Sequence, residues 1–101
     1  MNSLKNMAKM EDEVSTISRI YRNKMTNITF LKHSQLINSI RYIHRVDDAL
    51  SSLDEEYRTL INNDFIKPCT PQWWKTIYTS KHYVTMRYKA VSSFLMHFYD
   101  F

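Results

Sequence analysis

Not one of the 101 residues is glycine, and only Pro68 and Pro71 are proline. Backbone positions with positive φ, which glycine occupies at no steric cost, must here be avoided or given to Asn or Asp, and tight glycine hairpins are ruled out. Strands joined by short turns are a poor solution for such a chain. Helices are a good one. The apolar share of 44% and the aromatic share of 14% belong to a sequence with enough to bury, since chains that stay unfolded are poor in both. At this length the chain closes one core and leaves no room for a second independent domain.

Apolar residues recur at helical spacing. Val14, Ile17, Ile20 or Tyr21, and Met25 mark a first helix over about 11–24, with Glu11, Asp12 and Glu13 in the first turn where the helix dipole favours anions. Residues 1–10 either fray or extend it, and Leu4, Met7 and Met10 would then form an adaptable partner-binding face. Leu36, Ile40, Ile43, Val46 and Leu50 mark a second helix, with Ser34 as its N-cap and Ile28 and Leu31 packed just ahead. The run "SLDE" at 52–55 spells a capping box, so a third helix should start there, carrying Leu53, Tyr57, Leu60 and Ile61. It should end near Asn62 and Asn63, with Phe65 folding back onto the core.

Thr70 and Pro71 read as N-cap and first residue of a short helix through about Ile77. Trp73 and Ile77, four apart, would face the core, with Trp74 to one side. A last helix starts at Thr79 or Ser80 and runs to about His97, its apolar stripe formed by Tyr83, Met86, Ala90, Val91, Phe94 and Phe98. The expected fold is all-α, a small bundle of four to five helices. Its end has the parts of a helix-turn-helix: a short helix, a tight turn and a longer helix.

Charge is unevenly placed. Residues 1–65 hold nine Lys/Arg against nine Asp/Glu, whereas residues 66–101 hold Lys67, Lys75, Lys81, Arg87 and Lys89 against Asp100 alone. The whole net charge of +4 therefore lies in the last third, which suits a polyanionic partner. On the last helix the polar and basic face begins with Ser80, Lys81, Val84, Thr85 and Tyr88, flanked by Arg87 and Lys89. His82 can reach phosphate from its position.

Other function classes lack their residues. No apolar run reaches the ~18 residues that span a bilayer, and the first residues lack the apolar region of a signal peptide. A lone Cys69 allows neither an internal disulfide nor a multi-cysteine zinc site, which points to a reducing, cytoplasmic setting. His33, His44, His82 and His97 show no metal-ligand spacing. The adjacent carboxylates at 47–48 and 54–56 diverge by ~100° per residue on a helix and do not converge on a substrate. No catalytic constellation, metal or cofactor is expected.

The runs "ALSSLDEEYRTLI" and "WWKTIYTSKHYVTMRYKAVSSFL" resemble the fourth region of bacterial sigma factors. They are closer still to the ArpU-type sigma-like regulators of phages and related small proteins of mollicutes. The likeness rests on Leu50, Leu53, Glu56, Tyr57, Arg58 and Ile61, then Ile77, Thr79 or Ser80, Tyr83, Met86, Ala90 and Phe94, and covers about residues 47–96. It implies a division into N-terminal helices of unassigned role (1–46) and a sigma-region-four-like helix-turn-helix (47–98). It further implies a transcriptional regulator or sigma-like factor whose last helix enters the major groove of duplex DNA. Ser80, Lys81, Val84 and Thr85 would then meet base edges, with Val84 against a thymine methyl. Arg87, Tyr88 and Lys89, with His82, would lie near phosphates. One copy of such a reading face gives modest specificity, so a second copy of the chain or RNA polymerase is expected as a further partner. The competing expectation is a non-catalytic module whose same helix packs on a protein such as a polymerase subunit.

Overall fold

The structure, a computed structural model, describes the backbone of residues 2–100 and the side chains of residues 6–29 and 31–100. Four α-helices follow one another: α1 (Asn2–Asn27), α2 (His33–Ser51), α3 (Glu55–Ile61) and α4 (Ser80–Tyr99). A 3-10 turn (Ile28–Phe30) links α1 to α2, and α3 runs on into a π-helical turn (Asn62–Ile66). The all-α architecture expected from the glycine-free composition is the one observed, with no strand among the described residues. None of the described helices is long and apolar enough to cross a membrane.

One core joins the four helices and the π-helical turn. Val14 and Ile17 of α1, Val46, Ala49 and Leu50 of α2, and Leu60 and Ile61 of α3 meet Phe65 and Ile66 of the turn and Met86, Ala90, Val91, Phe94, Leu95 and Phe98 of α4. The stripe expected on α4 is the one buried, with Tyr83 half-buried at its leading end. Phe65 folds inward as expected, and the wider π turn brings Ile66 in beside it. The boundary expected at residue 46 falls inside α2, which runs through it unbroken.

Several local expectations give way to tertiary packing. Helix α1 begins near residue 2, so Glu11, Asp12 and Glu13 lie well inside the helix and do not cap it. Two of them reach α4 instead: Glu11 pairs with Arg87, and Glu13 accepts a 2.9 Å bond from the Tyr99 hydroxyl. Met10 packs against the core beside Ser92, Met7 is half-buried, and the Leu4 side chain lies outside the described residues. Met25 stays about half exposed.

Helix α2 starts two residues earlier than a cap at Ser34 would allow. Its cap is Lys32, whose backbone N–H donates to the Gln35 side chain at 3.3 Å. The capping box at 52–55 does not form either. Ser52 closes α2, its hydroxyl donating to the Asp48 carbonyl at 2.9 Å, and Asp54 becomes the residue before α3. Leu53 between them is buried. Keeping Leu53 in the core ends one helix and opens the next two residues later.

These helix C-termini do not use the left-handed residue that usually satisfies the last carbonyls. No described residue has positive φ, Asn62 and Asn63 included. Arginine side chains take over. Arg58 donates to the carbonyls of Leu50 (3.0 Å), Ser51 (3.4 Å) and Leu53 (2.9 Å) at the end of α2. Arg22 donates to those of Phe65 (2.6 Å) and Ile66 (3.2 Å) at the end of the π turn. Arg45 donates to that of Phe98 at 2.8 Å, with its guanidinium 4.2 Å from the Phe98 ring centre.

The short helix expected over 70–77 is a chain of turns. Trp73 N–H bonds to the Thr70 carbonyl, Lys75 to Gln72 and Ile77 to Trp74, each spanning three residues, and Tyr78 to Trp74 adds one α-type bond. A regular helix separates adjacent side chains by ~100°; this looser path lets both tryptophans reach Tyr83. Trp74 stacks on its ring at 4.3 Å and 9°, while Trp73 meets it edge-on at 6.3 Å and 85°. Ile77, expected in the core, is instead 62% exposed.

Candidate nucleic-acid interface

Helix α4 is positioned at its start by a side-chain cap. Thr79 is extended (φ −73°, ψ 160°) and its hydroxyl accepts the His82 N–H at 3.1 Å, which places the cap at Thr79 and makes Ser80 the first helical residue. From there Ser80, Lys81, His82, Val84, Thr85, Tyr88 and Lys89 are all exposed. Steps of three and four connect Lys81 to Val84 and Thr85, Val84 to Tyr88, and Thr85 to Tyr88 and Lys89, so these five form one continuous patch on the solvent side. The His82 ring tilts against Tyr78 at 5.0 Å.

Arg87 does not share that patch. Its side chain is 23% exposed and its guanidinium is bound on two sides: Nε to Glu11 Oε2 at 2.6 Å and Nη1 to Asp64 Oδ2 at 2.6 Å. Nη1 also donates to the Tyr83 hydroxyl at 3.0 Å, and the group lies 4.7 Å from the Phe65 ring centre. Burial works against its charge, but the bonds to Glu11 and Tyr83 outweigh it and hold the pKa above the ordinary arginine value. Arg87, expected near phosphate, is turned to these carboxylates within the fold. The residue ties α4 to α1 and the π turn.

Asp64 is the hub of that tie, and nothing local in the sequence marks it. Only 8% of its side chain is exposed, and it accepts from Trp73 Nε1 at 2.8 Å, from the Tyr83 hydroxyl and from Arg87. Burial first, then the bond to Asp64, pushes the Tyr83 phenol up to about 12. Trp73, Tyr83, Arg87 and Asp64 together fix the leading half of α4 from below, and Trp74 covers Tyr83 from outside.

This sorts the cations by role. Arg22, Arg45, Arg58 and Arg87 are turned to carbonyls and carboxylates within the fold. Lys67, Lys75, Lys81 and Lys89, all in the segment that carries the net charge, are exposed. The outward positive charge there is therefore ammonium, which suits single contacts to phosphate oxygens better than forked contacts to a base. Apolar groups lie among these lysines: Ile77 is 62% exposed, Val84 53% and Tyr88 47%.

A concavity of about 610 Å³ lies at the other end of α4, where Arg41, His44 and Asp48 of α2 face His97 and Asp100. Its two arginines, Arg41 and Arg45, are matched by the two carboxylates of Asp48 and Asp100, and it favours neither sign of ligand.

Comparison with family models, curated proteins and solved structures returns no match for the chain.

Proposed function

We propose that this chain is a non-catalytic, DNA-binding regulator of transcription that lays the leading half of α4 along duplex DNA. The observation that carries this reading is the exposed patch of Ser80, Lys81, His82, Val84, Thr85, Tyr88 and Lys89 on a helix held rigidly from behind. Lys67, Lys75, Lys81 and Lys89 supply phosphate contacts, and these provide most of the affinity. The resemblance of residues 47–96 to sigma region four supports the same reading, although the turns at 71–77 replace that motif's first short helix.

A second reading is favoured by one specific observation, the exposure of Ile77, Val84 and Tyr88 amid the lysines. In it the same face packs on a protein such as an RNA polymerase subunit. Titrating a fluorescently labelled duplex at low and moderate salt separates the two. DNA binding predicts measurable affinity that falls steeply with salt, and a Lys81→Glu, Lys89→Glu variant that abolishes it. No affinity at either salt leaves only the protein partner.

A further inference from the structure

Resting on the DNA-binding reading, the structure raises the question of which base edges this face is able to read. Guanine is read by forked contacts from Arg or Lys, and adenine by Asn or Gln. The only arginine in the first two turns of α4, Arg87, is bound to Glu11 and Asp64, those turns hold no Asn or Gln, and their one lysine, Lys81, is taken by the phosphate contact that the DNA-binding reading gives it. Thr85 has spent its one proton: Oγ1 donates to the Lys81 carbonyl at 3.1 Å. What it offers outward is a methyl group and an oxygen that only accepts. Beside it stand the two methyls of Val84 and the ring of Tyr88, both about half exposed.

We infer that this face recognises A·T-rich duplex through the thymine 5-methyl groups, with Val84 and the Thr85 methyl as the discriminating contacts. The 5-methyl is the one feature of thymine that apolar side chains can distinguish in the major groove. Lys81 and Lys89, on either side of Thr85, hold the backbone and leave the centre of the patch to these methyls. The lysines make binding strong and salt-sensitive. The methyls make it selective and leave that selectivity nearly independent of salt, because apolar burial is not screened.

Uracil keeps every hydrogen-bonding atom of thymine in both grooves and lacks only the methyl, so it isolates this contact. The experiment is an anisotropy titration of the full chain with a short all-A·T duplex, its thymine-to-uracil counterpart, and a G·C duplex with and without 5-methylcytosine. Each methyl buried should be worth about fourfold in Kd, so uracil replacement weakens binding roughly 4- to 16-fold for one or two contacts. 5-Methylcytosine should recover part of the affinity lost in the G·C duplex. In a Val84→Ser, Thr85→Ser variant the thymine-to-uracil ratio should fall to one, with Kd for the uracil duplex unchanged. Thr85→Ser keeps the hydroxyl bond to Lys81 and removes only the methyl, and both positions are exposed, so the variant retains the fold. Equal affinity for the thymine and uracil duplexes overturns the inference while leaving DNA binding intact. Absence of binding to any duplex overturns both.

Discussion

Asp64 and Arg87, 23 residues apart, close a 2.6 Å ion pair that joins the π-helical turn to the last helix. Glu11 meets the same guanidinium from α1 at 2.6 Å, so three segments converge on one side chain. Breaking a largely buried pair leaves a charge without compensation, which typically costs about 3 kcal/mol or more. Asp64→Ala should therefore lower the urea midpoint severely. Arg87→Met combined with Asp64→Asn, which removes both charges, should lose clearly less than the sum of the single changes. Additive losses in that double-mutant cycle would show that the pair carries no coupling.

The same cluster sets an alkaline limit. The Tyr83 phenol is pushed up to about 12 by burial and Asp64, and Tyr21 likewise by burial and its 2.8 Å bond to Asp47. A folded-state pKa above the unfolded value of 10.0 means that the folded chain holds the proton more tightly. This contribution is complete below pH 10 and is lost as pH rises from there towards 12. Thermal midpoints measured across that window should fall steeply for the natural chain. Tyr83→Phe should start lower at neutral pH, because it loses the Asp64 bond, and then decline with a shallower slope.

Much of the fold was legible from periodicity, because burial of a helical stripe depends on residue spacing alone. Tyr83, Met86, Ala90, Val91, Phe94 and Phe98 pack as their spacing requires, and so do Val14, Ile17, Leu60 and Ile61. Local motifs were less dependable wherever a buried side chain competed with them. Ser52 has the partners for a capping box, yet burying Leu53 commits it to ending α2. The exposure of the candidate site's residues was legible, and what supports them from behind was not. Lys81, Thr85 and Lys89 follow from helix geometry, whereas Asp64 acquires its role from Trp73, Tyr83 and Arg87, 9, 19 and 23 residues away. The arginine caps have no local signature either, since Arg22 and Arg45 find their carbonyls 43 and 53 residues away.

Ser18 is fully buried in α1, and its hydroxyl has no hydrogen-bond partner among the described residues. An unsatisfied buried hydroxyl costs about 1 kcal/mol or more, and Ala is also the better helix former. Ser18→Ala should raise stability in urea by about 1 kcal/mol. A loss of stability would show that the hydroxyl is in fact satisfied in the folded chain.

The start of α4 depends on Thr79 and not on its neighbour, because it is the Thr79 hydroxyl that accepts the His82 N–H. Loss of an N-cap typically costs about 1 kcal/mol. Thr79→Ala should show that loss in denaturant melts, and Thr79→Ser should restore most of it. Ser80→Ala should be close to neutral. The reverse ranking would move the cap, and with it the whole exposed patch, by one residue.

Arg87 and the lysines of α4 carry the same charge in different surroundings, and salt dependence tells them apart. An exposed Lys81 or Lys89 that pairs with a phosphate contributes about 0.9 to the slope of log affinity against log salt. Lys81→Gln should reduce the slope by that amount and leave the urea midpoint unchanged, since its exposed side chain has no ion pair among the described residues to lose. Arg87→Gln should do the opposite. It removes the bonds to Glu11 and Asp64 and lowers the midpoint, but the slope stays where it was because that guanidinium is already neutralised within the fold. Measuring both quantities for both variants, at salt concentrations where each remains folded, gives a crossed pattern. If Arg87→Gln lowers the slope as much as Lys81→Gln does, the guanidinium leaves its carboxylates when DNA binds and the division of labour between the two faces of α4 is wrong.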